Sequence, residues 1–277
     1  LRLIQSDIYL LQKGSDQPHV YASDIQYIKV PAVSVPIQKK ALAEAHAIEK
    51  EIETIESSIK KNGEIIDDVF NREFRFAMDE FNRTKQAKRF SANYRTLSNN
   101  ADLRFSAKFH RNSGNFVMQE LMNRTDKKIK HYLAEPIVLG ASVSPSDYSD
   151  DGEFCYISMA TIKNWKFYLE SASTVSKEYS DSKQAKAVRK NDIILARSGE
   201  GTIGKVALID DDELQGVFAD FTMRIRLKDY NPEFAYYYFR TTYFQYLIEI
   251  YKKGLGNNTN IFPIVVREFP MLDISLE

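Results

Sequence analysis

Residues 191–209 read Asn191-Asp-Ile-Ile-Leu-Ala-Arg-Ser-Gly-Glu-Gly-Thr-Ile-Gly-Lys-Val-Ala-Leu-Ile209, and how this stretch is parsed decides the fold. Gly199, Gly201 and Gly204 fit the Gly-x-Gly-x-x-Gly of dinucleotide sites. Gly199 with Gly204-Lys205 fits the start of a P-loop, and adding Val206 fits the Gly-rich loop of protein kinases. Each pattern lacks its context. A P-loop needs Ser or Thr after the lysine to hold magnesium, and a helix whose first turn meets the phosphates. The dinucleotide fingerprint needs a helix at the same point. Here Val206-Ala-Leu-Ile is a β-type run. A kinase needs His-Arg-Asp and Asp-Phe-Gly well downstream. No His follows His131, and Asp220-Phe-Thr is too close with the wrong third residue. A nucleotide-dependent enzyme built on the 199–205 loop is therefore the weaker reading. The stronger one is two strands joined by a Gly-rich hairpin, with glycine supplying positive φ.

Outward from that hairpin, Phe154–Met159 reads as a strand burying Cys155. Thr222-Met-Arg-Ile-Arg-Leu alternates strictly, as a half-exposed strand does. Asn231-Pro232 supplies a cap and first-turn proline for one aromatic-rich helix (Phe234, Tyr237, Tyr238, Tyr243, Phe244, Tyr246) that runs on to Lys252. Phe116–Met122 predicts a further helix, and the Ser-Pro-Ser-Asp run at 144–152 a loop. Strands with helices at both ends give an α+β domain of mixed strands.

Upstream, Pro31 and Pro36 keep Val30–Val35 out of a helix. From Ile37 the period changes. Ala41, Ala45, Ile48, Ile52, Ile55 and Ile59 are spaced 4, 3, 4, 3, 4, the narrow seam of a coiled coil. Asn62-Gly63 marks a kink or break, after which Ile65, Ile66, Val69, Phe70 and Phe74 resume helical spacing. Arg83–Asn100 reads as a basic linker. A second pattern spans the chain. Val20, Tyr21, Ile25, Ile28, Val30, Val33 and Val35 recur 241 residues later as Ile261, Phe262, Val266, Phe269, Met271, Ile274 and Leu276. Each block follows a Lys-Gly, at 13–14 and 253–254. Solenoid units span roughly 20–50 residues, so this is one full module plus the closing segment of another. The resulting parse is a closing segment at 1–36, a spacer helix at 37–82, a domain at 83–265 and the start of a second closing segment at 266–277.

Composition is that of an ordinary globular chain: 277 residues, 43% hydrophobic, 12% aromatic, net charge zero. The charge is uneven. From Arg83 to Arg111 eight Lys/Arg face only Asp102, and Lys183, Lys186, Arg189, Lys190, Arg197 and Lys205 face Asp192 and Glu200. Acids gather at Glu44–Glu56 instead, so a local field survives the neutral total. One cysteine excludes a disulfide framework and a Cys-rich zinc site. No apolar run approaches the ~18–20 residues that cross a bilayer, and no signal peptide is visible; a cytoplasmic protein without membrane partners is expected. The start at Leu1 reads as a fragment.

Catalytic constellations are thin. There is no Glu-x-Lys, no Asn-Pro-Pro-Tyr and no Gly-x-Ser-x-Gly, and His19, His46, His110 and His131 fall in no metal spacing. The chain reads as a binder, not an enzyme. Asn257-Asn-Thr-Asn260 can pair with adenine edges through its amides, or can simply be turn chemistry at a helix end.

The order of these features resembles the specificity subunit of type I restriction–modification systems. Asn191-Asp-Ile-Ile-Leu-Ala-Arg-Ser-Gly, Thr202-Ile-Gly-Lys-Val-Ala-Leu-Ile, Ala219-Asp-Phe-Thr, Asn231-Pro-Glu-Phe-Ala-Tyr-Tyr-Tyr-Phe and Lys253-Gly-Leu-Gly-Asn-Asn-Thr-Asn-Ile resemble its target recognition domain. The helix from Ile37 resembles its spacer. Asp102-Leu-Arg-Phe-Ser-Ala-Lys-Phe-His resembles the lead-in to the domain. The resemblance implies a reader of double-stranded DNA that covers half of a bipartite target and docks methyltransferase subunits. Those subunits would use S-adenosylmethionine, and restriction subunits would complete the assembly. It implies no cofactor on this chain, and a homodimer of half-subunits through the seam Ala41, Ala45, Ile48, Ile52, Ile55 and Ile59. Fused restriction–methylation enzymes carry a similar C-terminal module, which is the alternative parent. Candidate DNA contacts are Lys163, Asn164, Lys183, Lys186, Arg189, Arg197, Ser198, Thr202, Lys205, Asn257 and Asn258.

Overall fold

A computed structural model describes residues 8–13, 19–26, 28–29, 32–98, 104–150, 152, 154–199, 201–255 and 258–273. The chain divides into two compact units, Leu1–Lys60 and Lys61–Glu277. The helices are α1 (Ala22–Ile25), α2 (Val35–Ser58), α3 (Asn62–Phe74), α4 (Met78–Gln86), α5 (Tyr94–Ser98), α6 (Asn112–Met122), α7 (Lys177–Ser182), α8 (Pro232–Arg240), α9 (Thr242–Tyr251) and α10 (Pro263–Val266). The strands are β1 (Val138–Leu139), β2 (Phe154–Ile157), β3 (Ile162–Lys163), β4 (Lys166–Phe167), β5 (Ser173–Val175), β6 (Ile193–Ala196), β7 (Val206–Leu208), β8 (Gly216–Phe218) and β9 (Thr222–Ile225). Among the described residues no helix is long and apolar enough to cross a membrane.

In the first unit, α2 opens at Val35 with Pro36 in its first turn, where the missing N–H costs nothing. Val35, the last residue the prolines were expected to keep out of a helix, is thus helical. No residue of α2 is buried, and Ile48, Ile52, Ile55 and Ile59 are all about half exposed or more. The stretch 37–82, expected as one spacer helix, is three helices. Ile59 and Lys61 turn extended, and Arg75 takes the left-handed region at φ 50°, which ends α3. Gly63 sits inside the first turn of α3 and is not itself the break.

The repeat is also a repeat of backbone. Lys13 and His19 exchange N–H···O bonds of 2.9 and 2.9 Å; Lys253 and Asn260 exchange bonds of 2.8 and 2.7 Å. An extended residue then precedes a four-residue helix in each, Tyr21 before α1 and Phe262 before α10. The capping residues Gln26 and Arg267 match at φ −61°, ψ −19° and φ −61°, ψ −20°. The copies differ in cover: Ile25 is 50% exposed, whereas Val266, its counterpart, is fully buried. Val30, Ile274 and Leu276 lie outside the described residues.

The second unit is α+β. One antiparallel sheet runs β1-β9-β6-β7; a second runs β5-β2-β8, with β2 and β8 parallel; β3 and β4 form a hairpin. Ile193 and Leu195 of β6 face the helices, and Ile194 faces the second sheet, so the whole strand is buried. That two-sided cover explains its unbroken apolar run. β9 keeps its alternation but not the exposure expected for it. Met223 and Ile225 join the helical core, while Thr222 and Arg224 point into the other layer and are buried as well. The Arg224 guanidinium lies 5.1 Å from the Phe218 ring centroid.

The aromatic residues weld α3 and α4 to α8 and α9. Phe70 stacks on Phe234 at 5.3 Å, and Phe81 meets Tyr243 and Tyr246 edge-on at 5.2 and 5.0 Å. Asp67 accepts the Thr242 N–H (2.7 Å) and hydroxyl (2.5 Å) at the start of α9. The aromatic helix expected from 232 to 252 is broken at Thr241, whose extended backbone and hydroxyl cap α9. Cys155 is buried on β2, and that burial raises the pKa of its thiol.

Candidate nucleic-acid interface

The antiparallel register of β6 and β9 places Ala196 opposite Thr222, so the loops leaving both strands start from one end of the sheet. Arg197 is held there by backbone bonds to Phe221 (3.0 Å) and Ile261 (2.9 Å). Its guanidinium donates to the Asp220 carbonyl (2.9 Å) and to Asn260 Oδ1 (3.2 Å). The Asp220 carboxylate accepts from the Ser142 hydroxyl at 2.9 Å, and the Asp220 N–H donates to Ala141 at 3.2 Å. Tyr156 and Tyr179 donate their hydroxyls to the Ala141 and Ser142 carbonyls, each at 2.7 Å. Burial raises both phenol pKa values, so both hydroxyls keep their protons. Four loops, around residues 141–149, 197–204, 219–222 and 253–260, thus converge on one network.

The Gly-rich loop forms one wall. Gly199, Gly201 and Gly204 have φ of 85°, 81° and 87°, the hairpin role expected for them. Thr202 donates to the Ser198 carbonyl at 2.8 Å, and Gly199 N–H to Thr259 at 3.2 Å. Strand β7 follows Lys205, so the loop runs into a strand and not into a helix. A Cβ on Gly204 would stand 2.7 Å from Gln245 Oε1, which makes that glycine a packing site against α9. Arg197, Ser198, Thr202, half-buried Lys205 and exposed Asn258 are therefore brought together; Asn257 lies outside the described residues. Around them Tyr148, Phe221 and Leu255 stand exposed at 44%, 49% and 89%.

Lys183, Lys186 and Arg189 form a second group. Lys183 sits 6.0 Å from the Tyr179 ring centroid, and Tyr179 reaches the first network through Ser142. Lys186 is half-buried; burial first and the charge of Arg224 second lower its pKa. Behind them lies an ion network. Arg226 grips Asp192 with Nε and Nη2, both at 2.7 Å, Arg224 pairs with Glu135, and Asp192 accepts the Arg189 N–H at 2.8 Å. Desolvation lowers the Arg224 pKa, while the bond to Asp192 raises that of Arg226.

Lys163 and Asn164 do not join either group. They occupy the β3–β4 turn, where Asn164 and Trp165 have φ of 49° and 64°. That turn borders a separate cleft of about 770 Å³ lined by Trp165, Lys190, Asn191, Tyr236, Tyr237 and Arg240. Asp220 and Ser142 were not among the expected contacts, and Asn260 entered only as the end of the Asn257–Asn260 turn.

Residues 136–261, which include the nine strands of the described residues and the converging loops, match the family described as type I restriction modification DNA specificity domain. This segment is similar to such a domain. No curated protein matches the chain. Among solved structures, a type I restriction–modification S subunit from M. genitalium matches at 18% identity and TM-score 0.35, over 52% of this chain and 33% of that one. A chain from a structure of assembly and conformational transition in the type I R-M system matches at 11% identity and TM-score 0.39, over 95% and 54%. The HsdS subunit from Thermoanaerobacter tengcongensis matches at 12% and 0.34, over 93% and 54%. The chain thus spans one third to about half the length of these matched chains. The match starts two residues before β1 and ends at Ile261, the first residue of the repeated apolar pattern.

Proposed function

We infer that this chain reads one half of a bipartite DNA sequence as part of a type I specificity subunit, and that it leaves bond-making to methyltransferase and restriction subunits docked on it. The observation that carries the reading is the specificity-domain match over the residues whose loops converge on the Arg197–Asp220–Asn260 network. Exposed amides and hydroxyls on those loops suit base edges, and the neighbouring cations suit phosphates. S-adenosylmethionine would belong to the methyltransferase partner. The repeated closing segment, buried at Ile261, Val266, Phe269 and Met271 but exposed at Tyr21 and Ile25, supports a second recognition module in the working assembly. The half-exposed isoleucines of α2 supply a seam for a matching helix, from a second copy or from that module.

Removing the charges of Lys183, Lys186 and Arg189 together is expected to weaken binding to every duplex alike. Half-buried Lys186 should contribute least, so the slope of log K against log salt should fall by about 2, at ~0.9 per phosphate neutralised. Fluorescence anisotropy at several salt concentrations measures both quantities. Unchanged affinity and slope would take this patch out of the interface.

A further inference from the structure

Residues 87–95 carry positive charge that the described fold does not use. The chain leaves the core at Gln86, runs without regular structure to Asn93 and closes in α5. Lys88, Arg89 and Arg95 lie here, and no Asp or Glu occurs from Gln86 to Ser98. All three are exposed, and their side chains have no ion-pair or hydrogen-bond partner among the described residues. Their neighbours in the basic run are engaged. Arg83 pairs with Glu80, Lys85 lies over the Phe81 and Tyr246 rings, Arg104 donates to the Tyr251 and Lys252 carbonyls, and Lys108 pairs with Glu249. Apart from half-buried Arg111 at the start of α6, the unspent charge of the run thus lies in one short segment, with Tyr94 78% exposed beside it.

The shape of this segment suits a line of anions more than a single one. Residues 88–93, drawn out, reach up to roughly 17 Å, the rise along the duplex axis of about five phosphates of one strand at ~3.4 Å each. A membrane surface would want a continuous apolar face beside the charge, and α5 has only five residues. The segment also lies outside the 136–261 match. Building on the DNA-reading assignment above, we propose that residues 87–95 are a strap that grips the phosphate backbone of duplex DNA next to the recognised half-site, without regard to sequence.

The test uses the full chain assembled with its methyltransferase partner, with a 40-base-pair mixed-sequence duplex and a randomised duplex pool as probes. Lys88→Gln, Arg89→Gln and Arg95→Gln combined should lower the salt slope by about 2–3 and weaken all duplexes equally, while the pool yields the parent's motif. The charge-keeping set K88R, R89K and R95K should retain the parent slope. A parental slope in the Gln variant overturns the strap, as does a changed motif. Loss of methyltransferase co-purification, or of binding to phosphatidylserine vesicles, with the slope intact would make the segment a protein or membrane contact and also overturn it. If the parent selects a motif and the variant keeps its slope, the strap alone fails; if the parent binds no duplex, the DNA-reading assignment fails with it.

Discussion

Asp192→Ala is expected to cost ~3–5 kcal/mol of unfolding free energy, the range for removing one partner of a buried ion pair. The Asp192 side chain is 1% exposed, and it balances Arg226 at 16% next to Arg224 at 5%. Without it, two guanidinium groups share Glu135, and the Arg189 N–H loses its acceptor. The pair also ties β6 to β9 at Ile193 and Ile225, the far end from the converging loops, so loosening it should blur those loops. Asp192→Asn keeps an acceptor for the Arg189 N–H and should lose less. Urea unfolding reads the effect as a fall in midpoint at constant slope. An unmoved midpoint for Asp192→Ala would mean that the network contributes nothing.

Phe81→Ala should cost a similar ~3–5 kcal/mol, the usual loss for emptying a fully buried phenylalanine site. Phe81 is 0% exposed, enclosed by the edges of Tyr243 and Tyr246 and covered by Lys85. The comparison that gives this result meaning is Ile52→Ala on α2, where 48% of the residue is already in water. A surface substitution of that kind usually stays within about ±0.5 kcal/mol. Equal small effects at both positions would show α4 to be a solvent-borne helix, as the spacer parse assumed, and not part of the core of the second unit.

These two cases mark where the sequence could be read and where it could not. β2, β6, β7 and the Gly-rich hairpin were legible because β-type runs and glycines at fixed offsets act locally, and Asn231 caps α8 as its type predicts. The division of 37–82 was not. Ile65, Ile66, Val69, Phe70 and Phe74 continue the helical spacing of the seam, and nothing nearby in the sequence reveals that their partners Phe234 and Tyr238 lie more than 150 residues away. Arg224 and Arg226 read as the wet face of a strand, because the carboxylates that allow their burial, Glu135 and Asp192, approach only through the sheet register. β1, β5 and β8, of two or three residues, are too short to show a period. Within the candidate site, Arg197, Ser198 and Thr202 could be found from the glycine pattern. Ser142, Asp220 and Asn260 are ordinary loop residues until β6 and β9 bring their loops to one edge. Lys163 and Asn164 looked similar to the others by type, and the β3–β4 turn carries them to another cleft.

The measurement closest to the central claim is selection from a randomised duplex pool by this chain assembled with its methyltransferase partner, followed by the same selection with Arg197→Met. A specificity domain that reads bases through the converging loops predicts one short enriched motif for the parent, degraded at defined positions by the substitution. A pool that stays random for the parent, while the complex still holds duplex DNA, would contradict sequence recognition by this fold.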